Sequence, residues 1–307
     1  MPPGETDASP GGRDIAGGAL VALSALLFGT VVILGRSTAD SGIPVTSVLA
    51  LRFAMCAAIL AAVLAVARRP LIAARGERIG LLAAGGIGYA LESSFFFAAL
   101  RHGNAAPATL LFYTYPAFVM VASWALGRGR PTRLHALALV LGVSGATIVV
   151  AGGADLSIER LGVVLALCSA ITYTAYILGA ERVIDRTQPL TSSLWTSAAA
   201  ATGLAIAAAV SGTLRAPSRP ADWLTIAAMG VATAGAFATL FAGLRRIGAV
   251  RTSIVSSAEP LAAALLAFAF LGESVGVSVA VGGVLIVTGA IVAALSVSAP
   301  PAEPPLP

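Results

Sequence analysis

The chain has 307 residues, 58% of them hydrophobic and 11% charged, with a formal net charge of +5 and a mean hydropathy of +0.92. A soluble domain carries about 25% charged residues, so this composition excludes a soluble globular enzyme and a disordered chain and indicates a polytopic membrane protein. All 19 basic residues are arginines, and most of them lie between apolar runs. This placement favours a role of the arginines in orienting the protein in the membrane over a role in nucleic-acid binding. Because the chain has no lysine, it cannot contain the G-x-x-x-x-G-K loop of an ATPase.

Ten apolar runs follow one another along the chain. They cover residues 15–35, 45–67, 79–100, 104–126, 133–153, 161–180, 190–211, 223–244, 249–271 and 275–297. About 20 apolar residues span a bilayer as a helix, and lipid offers no partner for bare backbone groups. The sequence therefore predicts an all-α membrane protein with ten transmembrane helices, flanked by a disordered tail at 1–14 and a proline-rich tail at 298–307.

The distribution of arginine predicts the orientation of these helices. If the N-terminus is cytoplasmic and the sides alternate, the cytoplasmic segments hold twelve arginines and the outer segments hold five. Cytoplasmic loops are the ones enriched in Lys and Arg. We therefore predict a multi-pass protein of the cell inner (plasma) membrane with both termini in the cytoplasm.

An internal repeat is visible at an offset of 144 residues. The matching residues are Ile33-Leu34-Gly35 with Ile177-Leu178-Gly179, Leu100-Arg101 with Leu244-Arg245, Pro116 with Pro260, and Val140, Leu141, Val143, Gly145 and Ala146 with Val284, Leu285, Val287, Gly289 and Ala290. The offset predicts two five-helix repeats, 15–153 and 154–297. Because five is odd, the second repeat enters the membrane from the opposite side, an architecture typical of secondary transporters.

The chain resembles the drug/metabolite transporter superfamily, in particular its EamA-type members, over about residues 15–297. The clearest motifs are Glu259-Pro260-Leu261, Leu271-Gly272-Glu273 and the glycine-rich stretch 282–289, and Leu100 to Pro116 is similar in the first half. The first half departs from the pattern at Gly129, which stands where Glu273 stands in the second. The resemblance implies ten helices, export of amino acids or related metabolites, and a central cavity bounded mainly by helices 1, 3, 4, 6, 8 and 9.

Three charged residues lie inside predicted spans, where charge is costly and usually functional: Arg52, Glu92 and Glu259. Arg52 and Glu92 are predicted at similar depth on consecutive helices, so they form either a structural ion pair or part of a site in which Arg52 binds a substrate carboxylate. Glu259, near the middle of the ninth span, is either a site or proton relay or a structural carboxylate that hydrogen-bonds a neighbour.

Proline and aromatic residues extend the candidate site. Pro116 and Pro260 occupy matching positions in the two repeats and are predicted to kink their helices, with Tyr115 standing where Glu259 stands. The candidate substrate-binding residues are Arg52, Tyr89, Glu92, Tyr113, Tyr115, Tyr173, Tyr176, Trp195, Phe237, Ser256 and Glu259. The alternative for each aromatic residue is ordinary packing.

We predict a secondary transporter that moves small polar metabolites by alternating access, with amino acids as the favoured substrates and export as the expected direction. Exporters of nucleotide-like, vitamin-like or cationic drug-like solutes are alternatives, and a non-transporting membrane interaction protein is a remote one. The sequence predicts no enzymatic activity, no cofactor and no metal site. The expected partners are a small-molecule substrate and the lipid bilayer, not nucleic acid, and the chain is expected to act as a monomer or a weak homodimer.

Overall fold

A computed structural model describes residues 10–39, 41–103, 105–128, 131–152, 157–272 and 276–295. In this part of the chain the regular structure is entirely helical, and the only bridge between extended residues joins Gly103 to Ile158. The predicted all-helical class is therefore confirmed. The first helix begins at Pro10, inside the predicted N-terminal tail; residues 1–9, the predicted tail at 298–307, and the motif positions Gly129 and Glu273 lie outside the described residues.

The helices are labelled here in chain order. They are α1 (Pro10–Ala39), α2 (Val45–Val66), α3 (Arg78–His102), α4 (Ala105–Phe112 and Tyr115–Ala125), α5 (Arg133–Ala151), α6 (Arg160–Arg182), α7 (Pro189–Val210), α8 (Pro220–Ser256), α9 (Glu259–Leu271) and α10 (Val277–Leu295). Among the described residues, eight helices, α1 to α8, are long and apolar enough to cross a membrane, and α9 and α10 are shorter apolar helices.

Helix α3 contains a turn of π-helix at Ala84–Tyr89. Three of these six residues are glycines, which weaken an α-helix. Gly85 also lies so close to the carbonyl of Thr196 on α7 that a Cβ atom would collide with it. The π turn changes the phase of α3 immediately before Glu92, and such turns are frequent at functional sites.

Two membrane helices are broken next to the matched prolines. Helix α4 stops at Phe112 and resumes at Tyr115, with Pro116 in its new first turn. In the second half, residues 249–256 form the last turns of α8, and α9 resumes at Glu259 with Pro260 in its first turn. At about 1.5 Å per residue the 37 residues of α8 would extend about 55 Å, well beyond a bilayer core, and the chain turns at Gly248, where φ is +76°.

The two halves of the chain pack mainly against each other. The most extensive contacts join α1 to α8, α3 to α6, α2 to α7 and α5 to α10. The offset of 144 residues exchanges the first two pairs and maps each of the last two onto itself. Glycines allow close approach, as where Gly145 of α5 meets the Gly282 carbonyl of α10. This packing has an approximate two-fold pattern.

The connections between helices gather at two opposite ends of the bundle. At one end, called here the arginine-rich face, residues 67–77, 126–128 and 183–188 lie near Gly248; Arg245 Nη1, for example, donates to the Thr187 carbonyl at 3.3 Å. At the opposite face, Ser47 Oγ donates to the Thr213 carbonyl at 2.7 Å, and His102 lies 3.0 Å from Glu159. The segments predicted to share one side of the membrane thus lie together.

Glu77 ties two loops of the arginine-rich face together. Its carboxylate accepts hydrogen bonds from the Arg186 N–H at 2.7 Å, from the Thr187 N–H at 2.8 Å and from the Thr187 hydroxyl. Burial alone would raise the pKa of Glu77, but these hydrogen bonds together outweigh burial and lower the pKa below its ordinary value.

We expect Glu77→Gln to destabilise the protein at pH 7 by about 1–3 kcal/mol, since charged hydrogen bonds are lost, which corresponds to several °C in Tm. A carboxylate with a lowered folded-state pKa stabilises the fold above its unfolded pKa, and this contribution disappears as the pH falls through the folded pKa. The difference from wild type should therefore shrink below about pH 4. Thermal unfolding in detergent at several pH values measures it, with Glu159→Gln as the exposed control; a difference that is constant with pH would contradict the argument.

Candidate functional site

All five tyrosines of the chain lie in one aromatic cluster at the centre of the bundle. The central aromatic cluster consists of Tyr89, Tyr113, Tyr115, Tyr173 and Tyr176 with Phe28, Phe53, Phe112 and Phe237. These residues come from α1, α2, α3, α4, α6 and α8. Tyrosines of membrane proteins are commonly found in belts at the membrane interfaces, so their concentration in the interior marks this region as a polar site.

Close contacts between the rings, most of them edge-to-face and one tilted, join them in a continuous chain. Tyr89 lies 4.9 Å from Phe53 and 5.7 Å from Tyr176, measured between ring centroids. Tyr173 lies 5.5 Å from Tyr176 and 4.7 Å from Tyr115, which extends the chain to α4. Each such pair is favourable by about 0.5–1.5 kcal/mol beyond area burial, so the cluster fixes the six helices relative to one another.

Arg52 places a positive charge beside this cluster. Its guanidinium lies 4.4 Å from the centroid of the Phe53 ring, a cation–π geometry, and approaches the Tyr89 hydroxyl. The side chain is buried, and its Nε has no hydrogen-bond partner. Arg52 interacts electrostatically with Glu92 and Glu259, but the ion pairs within the described residues join other groups. A buried guanidinium with an open donor is suited to a ligand oxygen.

Glu92 is held by hydroxyl groups. Its carboxylate accepts hydrogen bonds from Ser93 at 3.0 Å and from Ser169 of α6 at 3.2 Å. Both serines and Glu92 are buried. The carboxylate therefore has a fixed position between α3 and α6, within electrostatic range of Arg52.

Glu259 enters the site from the broken helix of the second half. It occupies the first turn of α9, where the positive end of the helix dipole favours a carboxylate, and the Tyr113 hydroxyl is positioned to donate to it. On the matching broken helix, the Tyr115 hydroxyl donates to the Ser253 carbonyl at 3.3 Å, next to Ser256. The two breaks therefore meet at the site.

Part of the site is accessible within the bundle. Tyr89, Tyr173 and Glu259 are partly exposed although all three lie among buried neighbours, whereas Tyr115 and Tyr176 are almost completely buried. The buried Tyr176 hydroxyl has no hydrogen-bond partner. A small polar molecule that entered the bundle would meet these partly exposed groups, and the space that they line is called here the candidate cavity.

Two candidate residues, Trp195 and Phe237, differ from the others in their position relative to the charged groups of the site. Within the described part of the chain, Trp195 makes no ring contact with the cluster. Its indole N–H donates to the Leu71 carbonyl at 2.9 Å, near the arginine-rich face. Phe237 is fully buried and packs against four rings, those of Phe28, Phe53, Tyr89 and Phe241, so it supports the cavity wall from behind.

Sequence reasoning missed Ser169 and Phe53. A signal for Ser169 was present, because residues 169, 173 and 176 lie on one face of a helix, and the last two are tyrosines already chosen as candidates. Phe53 gave no such signal: it is one of eleven phenylalanines in apolar runs, and only the fold shows that it lies between Arg52 and Tyr89.

The site predicts a measurable energetic coupling between its charges. Arg52→Gln should lower the thermal stability, because it leaves two carboxylates in an apolar interior without a cation, and Glu92→Gln in addition should restore part of the loss. A double-mutant cycle by thermal unfolding should give a coupling of about 0.5–3 kcal/mol for Arg52 with Glu92 and none for Arg52 with the remote Glu159. Strict additivity of the Arg52 and Glu92 substitutions would show that they do not interact.

Comparisons with known proteins agree with this architecture. The model of the EamA-like transporter family matches residues 15–151 and again 160–295. An uncharacterized transporter of Archaeoglobus fulgidus is 27% identical over 90% of this chain and 96% of its own, and the uncharacterized inner membrane transporter YicL of Salmonella typhimurium is 28% identical over 72% and 74%. A solved crystal structure has the same fold, with a TM-score of 0.78 at 23% identity over 91% of this chain and 96% of its own. Two matches in tandem confirm the two-repeat architecture and the resemblance found in the sequence: the chain belongs to the EamA-like transporter family and is a multi-pass membrane transporter.

Proposed function

We propose that the chain crosses the inner membrane ten times as two inverted repeats, 15–153 and 154–297, with both termini in the cytoplasm. The segment 249–256 and α9 together would extend about 35 Å as one broken helix, and the 19 residues of α10 about 28 Å, so each is close to the thickness of a bilayer core. The two-fold packing pattern and the gathering of arginines at one face support this topology.

Reporter fusions test the topology. Alkaline phosphatase fused after Pro307 should be inactive and green fluorescent protein fused there should fluoresce, because both results require a cytoplasmic end. A matched fusion within the loop 211–219, at the opposite face, should give the reverse pattern. An active phosphatase at the C-terminus would overturn the cytoplasmic location of the C-terminus, and with it either the orientation or the even number of spans.

For the substrate, we propose small zwitterionic metabolites, with amino acids as the favoured class, exported by alternating access. The observation that carries this proposal is the convergence of one cation, Arg52, and two carboxylates, Glu92 and Glu259, on the central aromatic cluster. The planar guanidinium suits a substrate carboxylate, a carboxylate suits an ammonium group, and the aromatic wall accommodates an apolar side chain.

The mechanism proposed for transport involves binding and conformational change without covalent chemistry. The cavity lies where the two broken helices meet, and the two halves of the chain pack across it in a two-fold pattern. Repeats that rock about such a centre expose the site to each face in turn. The site is complete within one chain, which supports a monomer as the working unit.

One observation favours a second candidate, a cationic drug-like solute. The site has two carboxylates and one arginine, and its aromatic rings would attract a cation. For such a substrate Glu92 or Glu259 would be the binding group, and Arg52 would only balance the charge.

Uptake into proteoliposomes distinguishes the two candidates. We expect uptake of labelled amino acids above that of empty liposomes, and Arg52→Gln should raise the half-saturation concentration about 10- to 100-fold, since one charged hydrogen-bonding group is lost. Glu159→Gln, outside the site, is the matched control and should leave uptake unchanged. A pH gradient, applied to wild type and Glu259→Gln, tests whether Glu259 carries a proton.

Two outcomes would contradict the amino-acid proposal. One is the absence of uptake for every amino acid of the panel. The other is uptake of a quaternary ammonium compound that depends on Glu92 or Glu259 but survives Arg52→Gln, which would establish the second candidate.

A further inference from the structure

Glu181, at the end of α6, joins three elements at the arginine-rich face. One carboxylate oxygen pairs with the guanidinium of Arg128, which follows α4. The other oxygen accepts a hydrogen bond of 2.8 Å from the Ala249 N–H, the first residue after the break at Gly248. Arg128 also donates to the Leu178 carbonyl at 3.4 Å, so it is anchored to α6 twice.

The break at Gly248 is what allows this contact. Its φ of +76° lies in the left-handed region that glycine adopts readily. A Cβ atom at this position would lie 3.1 Å from the Glu181 carboxylate. The chain turns here so that the Ala249 N–H, at the start of segment 249–256, faces Glu181, as at the capped N-terminus of a helix.

The three joined elements belong to the wall of the candidate cavity. Tyr113 lies in the break of α4 and Tyr115 begins its second part, α6 contains Tyr173 and Tyr176, and segment 249–256 leads into Glu259. Glu181 thus fastens the ends of these helices on one side of the site. The ion pair is neither deeply buried nor fully exposed, with the two side chains 20% and 28% accessible, so it can separate without leaving a bare charge in lipid.

The residues that correspond to Glu181 and Arg128 by the offset differ from them in charge. Inverted repeats would bring the corresponding residues together at the opposite face. The offset of 144 residues places Ser37 where Glu181 stands and Gly272 where Arg128 stands. Neither residue carries a charge, so the corresponding positions cannot form the same contact.

We propose that Glu181 is a latch that keeps the arginine-rich face closed, and that opening this face requires Glu181 to release both Arg128 and the Ala249 N–H. The inference rests on the proposed alternating access. It adds a functional residue remote from the substrate site and an asymmetry between the two faces.

Cysteine accessibility tests the latch without any substrate. In a background of Cys56→Ala and Cys168→Ala, two buried reporters are compared, both fully inaccessible in this structure. Ala180→Cys lies one helical turn from Tyr176 towards the arginine-rich face, and Ala99→Cys lies near the opposite face. A membrane-impermeant thiol reagent is applied to inverted and to right-side-out vesicles, so that each face is exposed in turn.

Glu181→Ala should increase the labelling rate of Ala180→Cys from the arginine-rich face by about fivefold or more, as expected for the loss of a half-exposed ion pair and a capping bond. Ala99→Cys should stay unreactive. Glu181→Gln should have a smaller effect, because its amide oxygen still accepts from the Ala249 N–H. Glu159→Gln, which changes the contact with His102 at the opposite face, should leave both rates unchanged.

Unchanged labelling of Ala180→Cys in Glu181→Ala would overturn the latch, and so would an equal rise at both reporters, which would mean general loosening of the bundle. Gel filtration and thermal unfolding of each variant confirm that the labelled protein is folded. A failure of the amino-acid uptake assay would remove the proposed substrate but would leave the labelling result intact, so the two failures are distinguishable.

Discussion

The structure depends on the requirement that backbone groups inside a bilayer find hydrogen-bond partners within the protein. A broken helix is tolerated at that depth only where the freed groups are satisfied locally or face a cavity. Both breaks meet this requirement: the Thr114 hydroxyl donates to the Leu111 carbonyl and the Ser257 hydroxyl to the Ile254 carbonyl, each at 2.6 Å. The prolines at 116 and 260, which have no N–H to donate, can therefore lie next to the site.

Once the backbone groups freed at the two breaks have hydrogen-bond partners, charged side chains can lie at the same depth in the membrane. Glu259 lies directly at one break, and Glu92 follows the π turn of α3, which is a milder irregularity of the same kind. Both carboxylates are held by hydroxyl groups, and Arg52 is near enough to balance them. Irregular backbone, buried charge and tyrosine therefore coincide at one place in the bundle, and this coincidence is stronger evidence for a site than any of the three features alone.

Much of the fold could be predicted from the sequence, because membrane helices are marked by long apolar runs and the repeat by a constant offset. The intramembrane charges were visible for the same reason, since any charge in such a run stands out. The partners of those charges were less visible. Ser169 and Phe53 are ordinary residues for a membrane helix, and only the packing of α2, α3 and α6 brings them to Glu92 and Arg52. The turn at Gly248 was hidden too, because one glycine among 33 does not reveal a positive φ.

The repeats share a backbone plan but differ in their side chains. With identical halves, the states open to either face would be related by symmetry and would have equal energy apart from the effect of the membrane. Here Glu259 replaces the Tyr115 of the first repeat, and Glu181 and Arg128 replace Ser37 and Gly272 when the repeats are aligned by their offset. The first difference gives the site its second carboxylate. In the proposed alternating access, the other two favour closure at the arginine-rich face, so these few side chains would bias the equilibrium between the two conformations.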